Sequence, residues 1–490
     1  MNLRLDLLAP ELVLGLALLA LFVQTLTTRK TAEPRTGGGF LYGGWLAYAA
    51  VASAVASAAT LGLSGLMFYG AYQIDALSQF FKLLISVGLA IATHNASFGG
   101  TPELAQDKRS DYYLFLALSA FGLMLLASSV ELITIVISLE ISSFSLYAIV
   151  PLRAEKPEAV EAGIKYVMFG AVATALALFG LAYIMAAHQT TYLPALVGRD
   201  FGFAGAPLAA LGLVLFAVGF FYKLALFPFH FWAPDVYDGA SNETAAYIAT
   251  LPKLGAVVVL VRLASLLGPG PEVAMVLAVF GALSMTLGNL MALAQKDIKR
   301  LLGFSSVAHA GYIMLGLVAG TSEGFAAASF YALVYLVMNL TIFWVVCRTS
   351  PSGRNLVLDD LAGMHRRAPI LAFVLAVAAF ALVGLPPTAG FTGKLFLLSA
   401  AWGRGFDWLV VVAAVNTAIS IFYYLNLVRY AYTAESDELS ESKGGGAQLA
   451  RPTAWANAFG LVLAAVVLAL GVLPSPMFNL AAAAGQQLLP

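Results

Sequence analysis

The sequence predicts an all-α integral membrane protein of about 14 transmembrane helices, with two inverted five-helix repeats and discontinuous helices 7 and 12. Three observations predict it. Of 490 residues, 61% are hydrophobic and 11% charged, with a mean hydropathy of +0.87, more apolar surface than a soluble chain of this size can hide. The cationic residues cluster in alternate loops. Five lysines (Lys82, Lys165, Lys223, Lys253, Lys394) and Glu140 lie inside apolar runs, where a centred lysine costs roughly 2.5–3.5 kcal/mol on insertion scales.

The apolar runs fall at 7–26, 40–63, 74–95, 111–129, 131–151, 159–187, 206–233, 243–267, 273–294, 299–319, 324–348, 367–402, 408–432 and 454–474, each long enough for about 30 Å of hydrocarbon. The first has Asp6 and Glu11 at its start and no small-residue cleavage site, so it reads as a retained helix. Counting helix ends with their loops, odd-numbered loops hold 17 Lys and Arg, including Arg29, Lys30, Arg35, Lys443 and Arg451. Even-numbered loops hold 3: Arg199, Arg262 and Arg404. By the positive-inside rule both termini face away from the cytoplasm, and the glycine-rich stretch around Gly444 is a cytoplasmic connection.

Span seven is interrupted at Pro228 and span twelve at Pro386-Pro387. Proline removes a backbone donor, and a helix break at membrane depth is tolerated where it is buried in protein or lines a hydrated cavity. Breaks five spans apart predict oppositely oriented units, a transporter signature. The single polytopic domain, 1–490, then divides into N-terminal helices (1–110), a first repeat (111–267), a second repeat (273–432), and a cytoplasmic loop with the last helix (433–490).

Glu140, in mid-span 5, is a structural carboxylate or a titratable partner for a lysine. Lys223 precedes Pro228, near carbonyls that favour a cation. Lys394 follows Pro386-Pro387, in opening turns whose dipole disfavours one. The two environments are therefore expected to differ in how well they hold charge. Lys253 lies too deep to snorkel to an interface, whereas Lys165 and above all Lys82 are shallow enough to do so. His309 in mid-span 10 and His230 after the span 7 break are proton-passing candidates or helix-to-helix hydrogen bonders; His94, His188 and His365 fall near loops.

Other classes recede. One cysteine, Cys347, cannot build a disulfide framework, a cysteine-rich zinc site or an iron–sulfur cluster. Histidine and acid spacing fits no metal site. A net charge of zero gives no sign of nucleic-acid binding, and nucleotide-binding glycine motifs are absent. No nucleophile–base constellation marks a standalone enzyme, and six buried ionisable groups argue against a passive scaffold.

Several stretches together carry a family resemblance. They are Glu161-Ala162-Gly163-Ile164-Lys165-Tyr166; Lys223 through Pro228-Phe229-His230-Phe231-Trp232-Ala233-Pro234-Asp235; Leu251-Pro252-Lys253; Lys299-Arg300-Leu301-Leu302-Gly303-Phe304 through His309; and Gly384-Leu385-Pro386-Pro387 with Gly390-Phe391 and Lys394. Across nearly all spans the chain resembles the antiporter-like proton-pumping subunits of respiratory complex I (NADH-quinone oxidoreductase) and of multisubunit Na⁺/H⁺ antiporters. Within that family the surroundings of Lys165 resemble the N-type subunit. Lys394 departs from the M-type, which has glutamate there, and the lateral helix of the L-type is not seen. One departure is Ser241-Asn242-Glu243-Thr244, where the family usually has a proline-containing stretch. Ser241 or Asn242 is expected to cap the following helix, with Glu243 favourable in its first turn.

The resemblance implies that Glu140, Lys223, Lys253 and Lys394 form the ionisable axis of a proton channel, with His309 between Lys253 and Lys394 and Lys165 flanking Glu140. It implies a non-redox subunit of a translocase. NADH, FMN, iron–sulfur clusters and quinone would belong to partner subunits, and a neighbouring antiporter-like subunit would pack alongside in the inner (cytoplasmic) membrane. The alternative is a subunit of a multisubunit Na⁺/H⁺ antiporter with no redox partner.

Overall fold

The computed structural model describes residues 4–28, 42–99, 102–153, 156–268, 270–350, 352–433 and 452–486. The Gly444 stretch and Arg29, Lys30, Arg35, Lys443 and Arg451 of the charge count lie outside them. The helices are α1 (Ala9–Thr28), α2 (Leu46–Ala59), α3 (Ala76–Gly99), α4 (Arg109–Ser128), α5 (Leu132–Ile149), α6 (Pro157–His188), α7 (Leu193–Leu196), α8 (Pro207–Leu224), α9 (Trp232–Gly239), α10 (Asn242–Leu267), α11 (Pro271–Leu293), α12 (Ile298–Val318), α13 (Ser322–Thr349), α14 (Met364–Arg367), α15 (Pro369–Val383), α16 (Ala389–Ala401), α17 (Asp407–Tyr432), α18 (Ala454–Val472) and α19 (Ser475–Gln486).

Among the described residues twelve helices are long and apolar enough to cross a membrane. Fourteen crossings would additionally require α2 and the α15–α16 pair, which are shorter. The expected second span shrinks to α2 and is followed by a small antiparallel hairpin, β1 (Gly65–Met67) against β2 (Tyr72–Ile74), with Leu66 opposite Gln73. Neither this hairpin nor α19 is foreshadowed by hydropathy, because both are short. α10, α12 and α13 are enclosed on every side, whereas α1, α6, α17 and α18 keep most of their apolar surface outward, as helices facing lipid or a neighbour do.

Small residues set the closest packing. A Cβ on Gly180 of α6 would lie 2.3 Å from the Phe216 nitrogen of α8, and one on Gly311 of α12 would lie 2.5 Å from the Gly281 carbonyl of α11. Without a hydrophobic force between helices in lipid, such backbone-to-backbone approach supplies much of the attraction.

Both interrupted helices close identically. α8 ends with Ala225 left-handed (φ +61°), and Leu226 N–H donates to the Phe221 carbonyl at 2.8 Å. α15 ends with Gly384 left-handed (φ +88°), and Leu385 N–H donates to the Phe380 carbonyl at 3.0 Å. This six-to-one bond is the Schellman closure, and the prolines that follow prevent the helix resuming in register. Each break includes a cis peptide, Phe227–Pro228 and Pro386–Pro387. Ser241 caps α10 as expected, accepting from Thr244 N–H at 3.3 Å.

One reading of the sequence is corrected. Lys82 does not snorkel: it is 0% exposed, and its Nζ meets Glu11 Oε1 of α1 at 2.5 Å. Arg262, counted with its loop as a helix end, is buried inside α10 and grips Asp75 at 2.7 and 3.2 Å and the Ala127 carbonyl at 3.1 Å. In both cases the partner is supplied from a distant stretch of chain. The remaining histidines have packing roles: His94 accepts from Trp455 Nε1 at 3.2 Å, tying α18 to α3.

Gly180→Val should destabilise the bundle by about 1–3 kcal/mol through overpacking against α8. Denaturant unfolding in detergent would measure it as a lowered midpoint.

Candidate functional site

Of the ionisable residues picked from sequence, Lys223, Lys253, His309 and Lys394 are buried in the interior, each held differently. Lys223 occupies the last turn of α8 and is 2% exposed. Its ammonium has no hydrogen-bond partner among the described residues. It sits instead 5.4, 5.2 and 5.3 Å from the ring centres of Tyr147, Tyr166 and Tyr222, a three-sided aromatic cage. The cage is braced from behind: Tyr222 donates to the Tyr166 carbonyl at 2.7 Å, and Trp232 Nε1 donates to the Tyr222 carbonyl at 2.8 Å while stacking on Tyr166.

Glu140 is half-buried on α5 and accepts a 2.6 Å hydrogen bond from Thr174 of α6. It makes no ion pair with Lys223 among the described residues, although it acts on Lys223 electrostatically. Lys165 does not join them. It is 38% exposed at the side chain and bridges Glu161 at 2.7 Å and Asp235 at 2.6 Å, while Asp235 also takes Arg300 at 2.8 Å.

Lys253, 3% exposed in α10, donates to the Leu224 carbonyl, the last of α8, and lies 5.7 Å from the Tyr335 ring centre. Lys394 in α16 donates to the Val383 carbonyl at 2.8 Å and to Leu382 at 3.4 Å, the last carbonyls of α15. Its ammonium stands 4.3 Å over Tyr312. Each interrupted helix thus ends on a buried ammonium that takes carbonyls its closure leaves free.

The surroundings of Lys223 and Lys394 differ, as expected, but by a geometry the sequence does not show. Helical side chains lean toward the N-terminus. Lys223 accordingly leans away from the carbonyl end of α8. Lys394 leans back past the start of α16 onto the carbonyl end of α15, which favours a cation.

His309 of α12 links the two halves. Its Nδ1 is 2.7 Å from the Tyr331 hydroxyl and its Nε2 is 3.2 Å from that of Tyr424, which also bonds Ser305. Lys253 and Lys394 both act on it electrostatically. Beyond Lys394, the Tyr312 hydroxyl reaches Thr417 at 2.9 Å. His230 sits in the first break against Phe227 and Phe231, with no hydrogen-bond partner for Nδ1 among the described residues.

The tyrosines escaped the sequence reading. They suit an apolar span as well as a polar track, so composition does not expose them. The available signal was position: Tyr222 adjoins Lys223, and Tyr312 follows His309 by one turn. Among the described residues no three His, Cys, Asp or Glu side chains converge to hold a metal.

Residues 129–420, which contain all of these ionisable residues, match the family model described as NADH:quinone oxidoreductase/Mrp antiporter, TM. The chain belongs to that family. It is 57% identical over 486 residues, 99% of each chain, to NADH-quinone oxidoreductase subunit N 2 of Solidesulfovibrio magneticus. Among solved structures, a chain of respiratory complex I from Thermus thermophilus matches with a TM-score of 0.81 at 33% identity, covering 96% of this chain and 99% of that one. A chain of the Mrp complex from Dietzia matches with a TM-score of 0.86 at 20% identity, covering 99% and 98%, a likeness of fold. The family's multi-pass membrane character agrees with the apolar helices of this chain.

Lys394→Met should cost about 1–3 kcal/mol, because two buried carbonyls lose their donor. Lys394→Arg, which keeps donors, should recover part of it. Thermal unfolding of the purified protein in detergent would check both.

Proposed function

We propose that this chain is a proton-translocating membrane subunit of an NADH:quinone oxidoreductase, and that Glu140, Lys223, Lys253, His309 and Lys394 carry the proton. The observation that supports the reading is a set of buried lysines, a histidine and tyrosine hydroxyls in a family member 57% identical to a subunit N relative. Protons are moved, and no redox chemistry occurs in the chain itself. The cofactors of such an oxidoreductase would sit in other subunits, and the neighbouring antiporter-like subunit would pack beside this one. We read residues 111–267 and 273–432 as two inverted units, and place both termini on the non-cytoplasmic side from the loop charges.

In this reading quinone reduction elsewhere alters the charge facing Glu140. Lys223 is the least anchored lysine, since aromatic faces hold it without a hydrogen bond. Changing the Glu140 charge therefore shifts its proton most readily. The displaced proton passes to Lys253, then through His309 and its two tyrosine hydroxyls to Lys394, and leaves on the outer side. Lys165, paired at the surface with Asp235, tunes the neighbourhood of the first break. His230 stands in that break as an auxiliary carrier.

The energies are commensurate. Two charges about 8 Å apart at an effective dielectric of about 20 interact by roughly 2 kcal/mol. Moving one charge against 100 mV requires about 2.3 kcal/mol. The first break supplies a place for water among protein-buried backbone groups. The antiporter alternative rests on fold alone, at 20% identity.

Lys223→Ala and Lys253→Ala should each lower the protons moved per NADH oxidised in membrane vesicles, while the complex still assembles. Pumping at the wild-type ratio in both variants would sink the relay. Pumping that requires added Na⁺ would favour the antiporter reading.

A further inference from the structure

A second group of buried charges lies outside this track, at the end of the bundle that carries the start of α1. It comprises Glu11 of α1, Tyr72 of β2, Asp75, Gln79 and Lys82 at the start of α3, and Arg262 near the end of α10. Glu11 and Asp75 are each 5% exposed, Arg262 1% and Lys82 0%. The two ion pairs differ in kind. Asp75–Arg262 is saturated: Arg262 makes two bonds to Asp75 and one to the Ala127 carbonyl, and Asp75 also accepts from Ser78 N–H at 2.8 Å. Arginine does not give up its proton in proteins, so this pair is a fixed structural clamp.

Glu11–Lys82 is not saturated. Lys82 Nζ and the Tyr72 hydroxyl both lie 2.5 Å from Glu11 Oε1. Among the described residues Glu11 Oε2 has no hydrogen-bond partner, and neither polar atom of the Gln79 amide has one. Gln79 stands one turn before Lys82 and one turn after Asp75, so all three share a face of α3. Buried polar atoms gathered without protein partners mark a place that water fills. A pair of exchangeable groups with a carboxylate oxygen left open, set beside a fixed clamp of zero net charge, has the composition of a proton-handling site. A mere staple would need neither the free oxygen nor the free amide.

We propose that Glu11 and Lys82 form an outer proton-exchange pair, a second outlet for protons that reach Lys253, beside the one beyond Lys394. This rests on the proton-translocating reading above. The step is a transfer along the 2.5 Å contact: the Nζ–H bond breaks, an Oε1–H bond forms, and both groups become neutral. Glu11 then gives that proton to water on its free side, and Lys82 takes another from the interior. The Tyr72 hydroxyl holds the carboxyl in place in both states. Arg262 lies nine residues beyond Lys253 on the same helix, about 13.5 Å at 1.5 Å per residue, toward the end that holds the chain start. Lys253 and this pair are thus successive stations along α10. The charged groups that act on Lys82 are Glu11, Asp75 and Arg262.

The test uses the whole complex in membrane vesicles and reads protons pumped per NADH oxidised. The double variant Glu11→Leu with Lys82→Leu replaces a buried ion pair by apolar volume, a change that is often neutral or stabilising when a pair is only structural. It should assemble, oxidise NADH and lose part of the pumping ratio, less than Lys253→Ala loses. Lys82→Arg keeps the ion pair but cannot release a proton, so it should lose the same share, and it decides the matter if the double variant fails to assemble. Wild-type pumping in either variant, alongside a loss in Lys253→Ala, overturns the exchange pair alone. Wild-type pumping in Lys253→Ala as well overturns the relay reading itself.

Discussion

The arrangement depends on the free carbonyls at the ends of α8 and α15. A helix that stops inside a membrane leaves polar backbone atoms where no lipid can satisfy them. Each Schellman closure takes two carbonyls inside the chain, and a buried ammonium takes the last ones: Lys253 at Leu224, Lys394 at Val383 and Leu382. The breaks make the lysines tolerable and the lysines make the breaks tolerable. Losing either half leaves the other as an uncompensated polar group in an apolar interior.

That reciprocity organises what surrounds it. α10, α12 and α13 are enclosed because they bring Lys253, His309, Tyr331 and Tyr335 to the space between the two breaks. Glycines at the α6–α8 and α11–α12 contacts let backbones approach closely enough to close that space. Tyrosines then line it, offering an apolar body for packing and a hydroxyl for the polar track. The outward faces of α6 and α17 remain available to lipid or to other subunits.

Much of this was legible in the sequence, for a physical reason. A charge or a proline in an apolar run is a large local anomaly, so Lys223, Lys253, Lys394, Pro228 and Pro386 stand out without any structure. What stayed hidden depended on direction or distance. Side-chain lean decided which carbonyls Lys394 reaches. Pairing across 71 residues decided that Lys82 is buried rather than shallow, and pairing across 187 residues did the same for Arg262. Tyrosine looks alike in a core and in a proton path, so the aromatic cage of Lys223 had no signature of its own.

The two closures share a pattern but not a residue. Gly384 holds its left-handed conformation without steric cost, whereas Ala225 holds the same conformation with a Cβ against the next carbonyl, a strain of roughly 1–2 kcal/mol. The first turn is therefore a loaded spring and the second a relaxed one. Unwinding at 225 releases energy that unwinding at 384 does not, a bias of roughly tenfold in the ratio of open to closed forms. The spring sits directly beside the Leu224 carbonyl that holds Lys253, so any rearrangement of this bundle starts more cheaply in its first half than in its second.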